Sequence, residues 1–406
     1  MAGPLEGVRV LDLTTMVSGP IAAAMLADQG ADVIKVESPS GDEMRRIGNQ
    51  RNGLTAGFFS CNRGKRSLCV DLKNPDARKP LEDLVKTADV FVQNFRPGAV
   101  ERIGFGEEAV RKLNPDIVYV SISGFGEHGP YAHQRVYDPV IQALTGATDI
   151  QADRDTKHPK MFRIIIADKV TSLTAAQAIT AALFARERGG GGQHVKLSML
   201  DTMISFFWPE GMSGITFVGD EIDVTKYQGT MDLIYETRNG YITAGAISDQ
   251  EWLGMCAALG QADWVEDARF RTTTDRFRNA ELRKQMTAAE IAKWDRDELL
   301  ARLDAEGVPS APLLTRLDLL EHEQIAANDT IGIYEFEGHG QVRQARPAAR
   351  FDITPQDIKH PAPLLGEHSA TVLAEIGYGE DTLVALFASG AVRSANQSGS
   401  DSEDKQ

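Results

Sequence analysis

The chain has 406 residues, 42% hydrophobic and 25% charged, with a net charge of −15 and three cysteines, Cys61, Cys69 and Cys256. That length exceeds what one hydrophobic core usually serves and predicts two domains, while the acidic balance excludes nucleic acid or an anionic membrane as the main partner but not a small anion held by a local basic cluster. An odd cysteine count without metal-ligand spacing argues against a disulfide framework or a zinc site; with no signal-like N-terminus and no apolar run near the ~20 residues of a membrane span, the expectation is a cytoplasmic protein.

Residues 8–13 (VRVLDL) and 32–37 (DVIKVE) read as strands on either side of a helix over 20–29, with Pro20 in its first turn and Gly30 as its stop. Such a βαβ unit implies a parallel sheet with a right-handed crossover. Glu37 stands where a dinucleotide-binding protein keeps its ribose-binding acid, yet the loop TTMVSGP offers only Gly19 and lacks G-x-G-x-x-G. A basic turn with Arg63, Lys65 and Arg66 leads into another strand and a helix that starts near Asn74, Pro75 and Asp76. ADVFVQNF is the next strand, so Asn94, Phe95 and Arg96 fall at its carboxyl end, with Arg102 shortly after. These residue types suit a ligand with a ring and several phosphates, and equally suit a solvated loop. A strand over 117–122 then runs into a glycine-bearing loop with Gly124, Gly126, Gly129, His128 and His133. Arg135, Tyr137 and Asp138 follow, just before a helical segment over 140–145.

In KMFRIIIADKVTS, over 160–172, the isoleucines Ile164, Ile165 and Ile166 read as a short buried strand. Asp168 lies two residues beyond, ahead of an alanine-rich helix over 175–185. This puts its carboxylate either at the carboxyl edge of a sheet, where α/β proteins bind ligands, or at the helix start as a cap, and spacing leaves both open. The run Gly189 to Gly192 lacks the Lys-Ser/Thr ending of a phosphate loop and reads as a turn before a strand over 194–198. Residues 206–224, rich in Gly, Phe and Trp without period, read as a connecting arm. Residues 225–351 read as a smaller α/β domain that ends in a hairpin over 331–351, and 391–406 as a disordered tail. The larger domain is then discontinuous, built from 1–205 and 352–390.

The segments LEGVRVLDLTTMVSGP, GADVIKVESPSGDEMR, NRGKRSLCVDLK, ADVFVQNFRPGAVERIGFG, NPDIVYVSISGFGEHGPY, GQHVKLSMLD and APLLGEH occur in that order across roughly residues 4–390. In them the chain resembles the class III coenzyme A transferases, the family that also holds formyl-CoA and carnitine-CoA transferases and the α-methylacyl-CoA racemases. The resemblance implies a Rossmann-like large domain with a parallel sheet, a small α/β domain, and an interlocked-ring homodimer. It implies that Asp168 is the acylated nucleophile. It also implies that coenzyme A is bound by Val17 and Ser18, by Val70, Asp71, Leu72 and Lys73, by Asn94, Phe95 and Arg96, by Arg102, and by Gln134, Arg135, Val136 and Tyr137. The partners expected are an acyl-CoA and a small carboxylic acid, with CoA as substrate, no permanently bound cofactor, no metal, no nucleic acid and no membrane.

Departures from the family pattern narrow this reading. Formyl-CoA transferases carry His and Gln where this chain has Thr15 and Val17, and a glycine run where it reads TAGAISDQEW with Gly245, so oxalate and formate are not the acids expected. The racemase branch places a histidine base where this chain has Tyr137 and Asp138, and tyrosine, with an unperturbed pKa of about 10, is a poor base at neutral pH. Racemisation, and a non-catalytic CoA-binding protein, are the alternatives. Trp208, Met212, Tyr227 and Met231 are candidates to line the acyl pocket or to pack in the core.

Overall fold

The computed structural model describes residues 3–153, 156–222 and 233–395. They form two compact units, one from the described residues within 1–209 and 329–406 and the other from those within 210–328.

The first unit is organised by six parallel strands: β1 (Arg9–Asp12), β2 (Asp32–Glu37), β3 (Arg66–Val70), β4 (Val90–Gln93), β5 (Val118–Ser123) and β6 (His194–Ser198). Their order is β3-β2-β1-β4-β5-β6, with the last strand, β7 (Val392–Arg393), antiparallel on β3 at the edge. This is the doubly wound order, and its direction reverses between β1 and β4, where such folds open a crevice at the carboxyl ends of the strands. Successive strand residues face opposite layers. Val10, Val33, Val90 and Val118 join helices α1 (Ser18–Asp28) and α4 (Ile166–Ala185) on one face. Leu11, Ile34, Phe91 and Tyr119 join α2 (Arg78–Val85) and the C-terminal helices on the other. Helix α3 (Asp138–Leu144) precedes α4, and α5 (Met199–Gly211) follows β6 directly.

Helix α1 is alanine-rich and buried on most sides, because small side chains let it sit between the sheet and α4. Its first turn comes so close to the preceding loop that a Cβ on Gly19 would lie 2.3 Å from the Thr14 side chain. Gly19→Ala is therefore expected to destabilise the protein by about 1–3 kcal/mol, the scale of an overpacked core, which a thermal or urea melt would read.

Several expectations need correction. The three isoleucines form no strand: Ile164 is 53% and Ile165 40% exposed, and helix α4 begins at Ile166. The β6 strand already pairs with β5, and the isoleucine segment's backbone is met instead by the Gln142 side chain, which accepts the Phe162 N–H at 2.9 Å and donates to the Ile164 carbonyl at 3.3 Å. The supposed arm begins inside α5, whose Phe207 stacks on Phe162. The hairpin, Ile331–Phe336 with Gly340–Ala345, belongs to the first unit, since Phe336, Tyr334 and Val342 pack on Phe58, Phe59 and Leu54. The tail expected from 391 begins as β7, where Val392 is fully buried against Val70; the residues beyond 395 lie outside the described ones. The glycine run behaves as expected, closing α4 with Gly189 and Gly191 in left-handed backbone before β6.

The second unit holds a three-stranded antiparallel sheet of Ser310–Pro312, Gly240–Ala244 and Ile234–Thr237. Helices Asp249–Leu259, Ala280–Ile291 and Arg296–Ala305 bury Trp252, Phe270, Ile291, Leu299 and Leu303 against it. A capping box of Ser248 and Glu251 starts the first of these helices, and Gly260 ends it. Among the described residues no helix is long and apolar enough to cross a membrane.

Candidate active site

Asp168 lies in the first turn of α4. It is not the cap: that position is Ile165, which has no side-chain acceptor. The orphan N–H of Asp168 is taken from outside the helix by Asp138 Oδ2 at 3.1 Å. Asp138 is buried at the start of α3, and its other oxygen accepts the Gln142 amide. Ser18, at the start of α1, acts on the Asp168 carboxylate through its hydroxyl and backbone N–H, favouring the ionised form. The buried Ser172 hydroxyl lies 2.8 Å from the Ser18 carbonyl and 2.7 Å from the Asp168 carbonyl, tying the two helices together. Burial, and then the charge of Asp138, push the Asp168 carboxyl up to about 6, against the two hydrogen bonds from Ser18. The group is thus largely ionised at neutral pH yet more basic than an ordinary carboxylate, which suits a nucleophile.

The β1–α1 loop that carries Val17 and Ser18 occupies the switch point of the sheet. Thr15 and Asn94 face each other across it: the Thr15 N–H donates to Asn94 Oδ1 at 2.9 Å, and Asn94 Nδ2 donates to the Thr15 carbonyl at 2.8 Å. Beneath the loop lie ion pairs with both side chains out of water. Lys65 Nζ is 2.7 Å from Asp12 Oδ2 and also donates to the Pro20 carbonyl and Asn62 Oδ1, while Lys35 Nζ is 3.0 Å from Asp42 Oδ2 and donates to the Thr14 carbonyl. Burial alone would raise Asp12, but Lys65 and Lys35 outweigh it and hold that carboxyl below its ordinary value.

Glu37 is no ribose ligand. Its carboxylate is buried and already accepts from Arg45, Ser67 and the Asp42 N–H. The basic turn is committed too, with Arg63 on Asp28, Lys65 on Asp12, and Arg66 on Asp32 and Glu375. In contrast Lys73, Arg96, Arg102 and Arg135 are exposed, and among the described residues none of the four has an acidic partner. Arg102 folds back toward the turn that holds Arg96, with a guanidinium nitrogen 3.3 Å from where a Gly98 Cβ would stand.

Of the residues expected to bind CoA, Val17, Ser18, Asn94, Phe95 and Arg96 flank the switch point. The stretch Gln134 to Tyr137 leads into α3, and Val136 packs so closely on the end of β5 that a Cβ on Gly124 would be 2.5 Å from it. Val70 ends β3, and Asp71, Leu72 and Lys73 follow it, two strands away from β1; the Asp71 N–H is taken by the Ala391 carbonyl and its carboxylate by the Lys73 N–H. A cavity of about 610 Å³ opens beside the Asn94–Arg96 turn, over the ends of β4, β5 and β6, with Arg96, His128 and Lys196 in its wall; His133 is exposed nearby in sequence. Trp208 is 43% exposed on α5, Met212 follows that helix, and Tyr227 and Met231 lie outside the described residues.

The family model for CoA-transferase family III matches residues 5–369. The chain belongs to that family. This class III CoA-transferase is 32% identical to the succinate–glutarate CoA-transferase of Agrobacterium fabrum, over 92% of this chain and 96% of that one. It is 31% identical to a formyl-CoA:oxalate CoA-transferase of Escherichia coli O157:H7, over 95% and 99%. Among solved structures, a CAIB/BAIF family protein of Brucella suis superposes with a TM-score of 0.80 at 31% identity, covering 93% of this chain and all of that one. CoA-transferases act on CoA thioesters, so acyl-CoA is the substrate class of this one.

What reading the residues missed is how Asp168 and its loop are held, by Asp138, Gln142 and Ser172, with Lys35, Asp42, Asp12 and Lys65 below. The available signal was charge inside strands, since Asp12 and Lys35 interrupt otherwise apolar runs that a two-sided parallel sheet buries.

Proposed function

We propose that this CoA-transferase moves CoA from an acyl-CoA donor to a carboxylic acid acceptor through covalent intermediates on Asp168. The observation that carries this reading is the place of Asp168 where three helices start, its backbone N–H taken by Asp138 and its carboxyl, largely buried, raised above the ordinary carboxylate range. The carboxylate attacks the donor thioester carbonyl and the C–S bond breaks, leaving a mixed anhydride and CoA thiolate. The thiolate attacks the Asp168 carbonyl carbon, the donor acid departs, and Asp168 becomes a CoA thioester. The acceptor carboxylate then attacks that thioester, forms its own anhydride with Asp168, and takes CoA back as thiolate, restoring the aspartate. No proton is gained or lost over the cycle, so no general base is required. The Ser18 N–H, which already favours the ionised carboxylate, would donate to the oxyanions that form at Asp168.

The cations Lys73, Arg96, Arg102 and Arg135, without an acidic partner among the described residues, would hold the phosphates of CoA. Val17, Ser18, Val70, Asp71, Leu72, Asn94, Phe95, Gln134, Val136 and Tyr137 would line its path. The naming of a relative for succinate and glutarate makes succinyl-CoA with glutarate the first pair to assay. An interlocked homodimer is supported by large apolar side chains left in solvent on two helices, Leu173 and Phe184 of α4 and Phe206 of α5.

Incubation with succinyl-CoA, borohydride reduction and peptide mass analysis should mark Asp168; turnover with an unmodified Asp168 would reject the mechanism. The pH dependence follows from the raised carboxyl. Below pH 6 the group is protonated and cannot attack, so kcat/KM for the acyl-CoA is expected to rise about tenfold per pH unit up to about 6 and then level. An ordinary carboxylate would level near 4.

A further inference from the structure

Met16 lies between Thr15, which is tied to Asn94, and Ser18, whose carbonyl shares the Ser172 hydroxyl with that of Asp168, and its backbone is left-handed, with φ of +69°. Left-handed backbone is disfavoured for a residue with a Cβ and is where a dinucleotide-type loop would place glycine. The conformation is braced from one side chain. Asp42 Oδ1 accepts the Met16 N–H at 3.2 Å and also the Met44 N–H at 3.0 Å, capping the short turn Glu43–Arg45, while Oδ2 takes Lys35. Asp42 is 1% exposed and Lys35 fully buried, so this brace sits in a dry, low-dielectric site where a charge-assisted hydrogen bond is strong. The same Lys35 holds the Thr14 carbonyl. Every residue from Thr14 to Met16 is thus fastened to a different element: Thr14 to β1 and β2, Thr15 to the end of β4, and Met16 to the loop after β2.

We propose that Asp42 and Met16 are positioning residues for the reaction at Asp168: Asp42 holds Met16 in the left-handed turn, and that turn aims the Ser18 hydroxyl and N–H at the Asp168 carboxylate. In this protein a buried aspartate does for the switch-point loop what glycine does in a dinucleotide-binding loop. The inference rests on the reading of Asp168 as nucleophile, but its first readout does not.

The test follows the Asp168 carboxyl by ¹³C NMR titration, with Asp168→Asn to assign it, beside kcat. The groups that face Asp168 are Asp138 from α3, a like charge, and Ser18 from α1, whose hydrogen bonds favour the ionised form. Asp42→Ala should release the turn, withdraw Ser18, raise the Asp168 midpoint by about half a unit or more, and lower kcat by about tenfold. Adding Met16→Gly should bring both back toward wild type, because glycine enters left-handed backbone freely, whereas adding Met16→Ala should not. A merely structural role for Asp42 would move neither the midpoint nor the ratio between those two double variants. Should Asp42→Ala fail to fold, Met16→Val carries the same expectation without touching the ion pairs, since a β-branched residue resists the turn. An unchanged midpoint in a folded variant, or equal behaviour of Met16→Gly and Met16→Ala beside Asp42→Ala, overturns the proposal. If instead the midpoint shifts as expected but wild-type enzyme forms no adduct at Asp168, the positioning stands and the nucleophile assignment falls.

Discussion

Asp168→Asn is expected to lower CoA transfer by at least about 10³-fold, the scale on which loss of the nucleophile acts in covalent enzymes, while the protein remains at least as stable as wild type. The second half follows from the sign of the shift. The carboxyl is raised to about 6 from an ordinary 3.8, so the folded chain holds that proton more tightly than the unfolded one. Stability tied to this group is therefore greatest at low pH and is lost as pH rises from about 4 to 6, and above 6 the ionised group weighs against the folded state. Asparagine has no charge to bury beside Asp138. Thermal melts at pH 7.5 set beside transfer assays would check both halves, and a variant that kept its activity would remove Asp168 from the chemistry. Asp168→Glu is expected to fold but to transfer slowly, since the extra methylene moves the carboxylate off the Ser18 donors.

The second large effect concerns the pair under the switch-point loop. Lys65→Met should destabilise the first unit by about 3–5 kcal/mol, because it leaves Asp12 ionised and unpaired where no water reaches it. The Pro20 carbonyl and Asn62 Oδ1 lose their donor at the same time. Pairing Lys65→Met with Asp12→Leu is expected to recover part of the loss, as apolar groups of similar volume often replace a buried pair without penalty. Asp12 also accepts the Thr14 N–H and hydroxyl, so the double variant should regain stability more fully than activity. Urea unfolding followed by far-UV circular dichroism would measure the first effect, and single-turnover acylation the second. Equal recovery of both would show that the pair serves stability alone.

The parallel sheet was legible because each strand is a short apolar run ended by turn residues, and runs near 8–13, 32–37 and 194–198 appear within a residue or two of their observed limits. The three isoleucines misled because apolarity does not say what a segment pairs with; Gln142, more than twenty residues upstream, meets their backbone. The hairpin is legible as a hairpin but not as part of the first unit, since its alternation shows one apolar face and not which core that face meets. Strand β7 is two residues long and lies at the start of a polar tail, below the length at which periodicity carries a signal.

The order of apolar runs, the glycines at turns and the charges at strand ends determined an α/β chain with a parallel sheet, an aspartate ahead of an alanine-rich helix, and a set of cations apart from it. All of these are properties of neighbours along the chain, where the spacing of residue types dictates local geometry. Which charges are spent on the fold and which remain for a ligand was decided only by tertiary structure. Arg63, Lys65 and Arg66 look as available in the sequence as Arg96 and Arg102, yet the first three are closed in ion pairs with residues that include Asp12, Asp28 and Asp32. The basicity of Asp168 has the same origin: its carboxyl is raised by burial and then by the charge of Asp138, thirty positions away, against Ser18, a hundred and fifty away, which favours the ionised form. Electrostatic energy depends on distance and burial in space, and a linear sequence records neither.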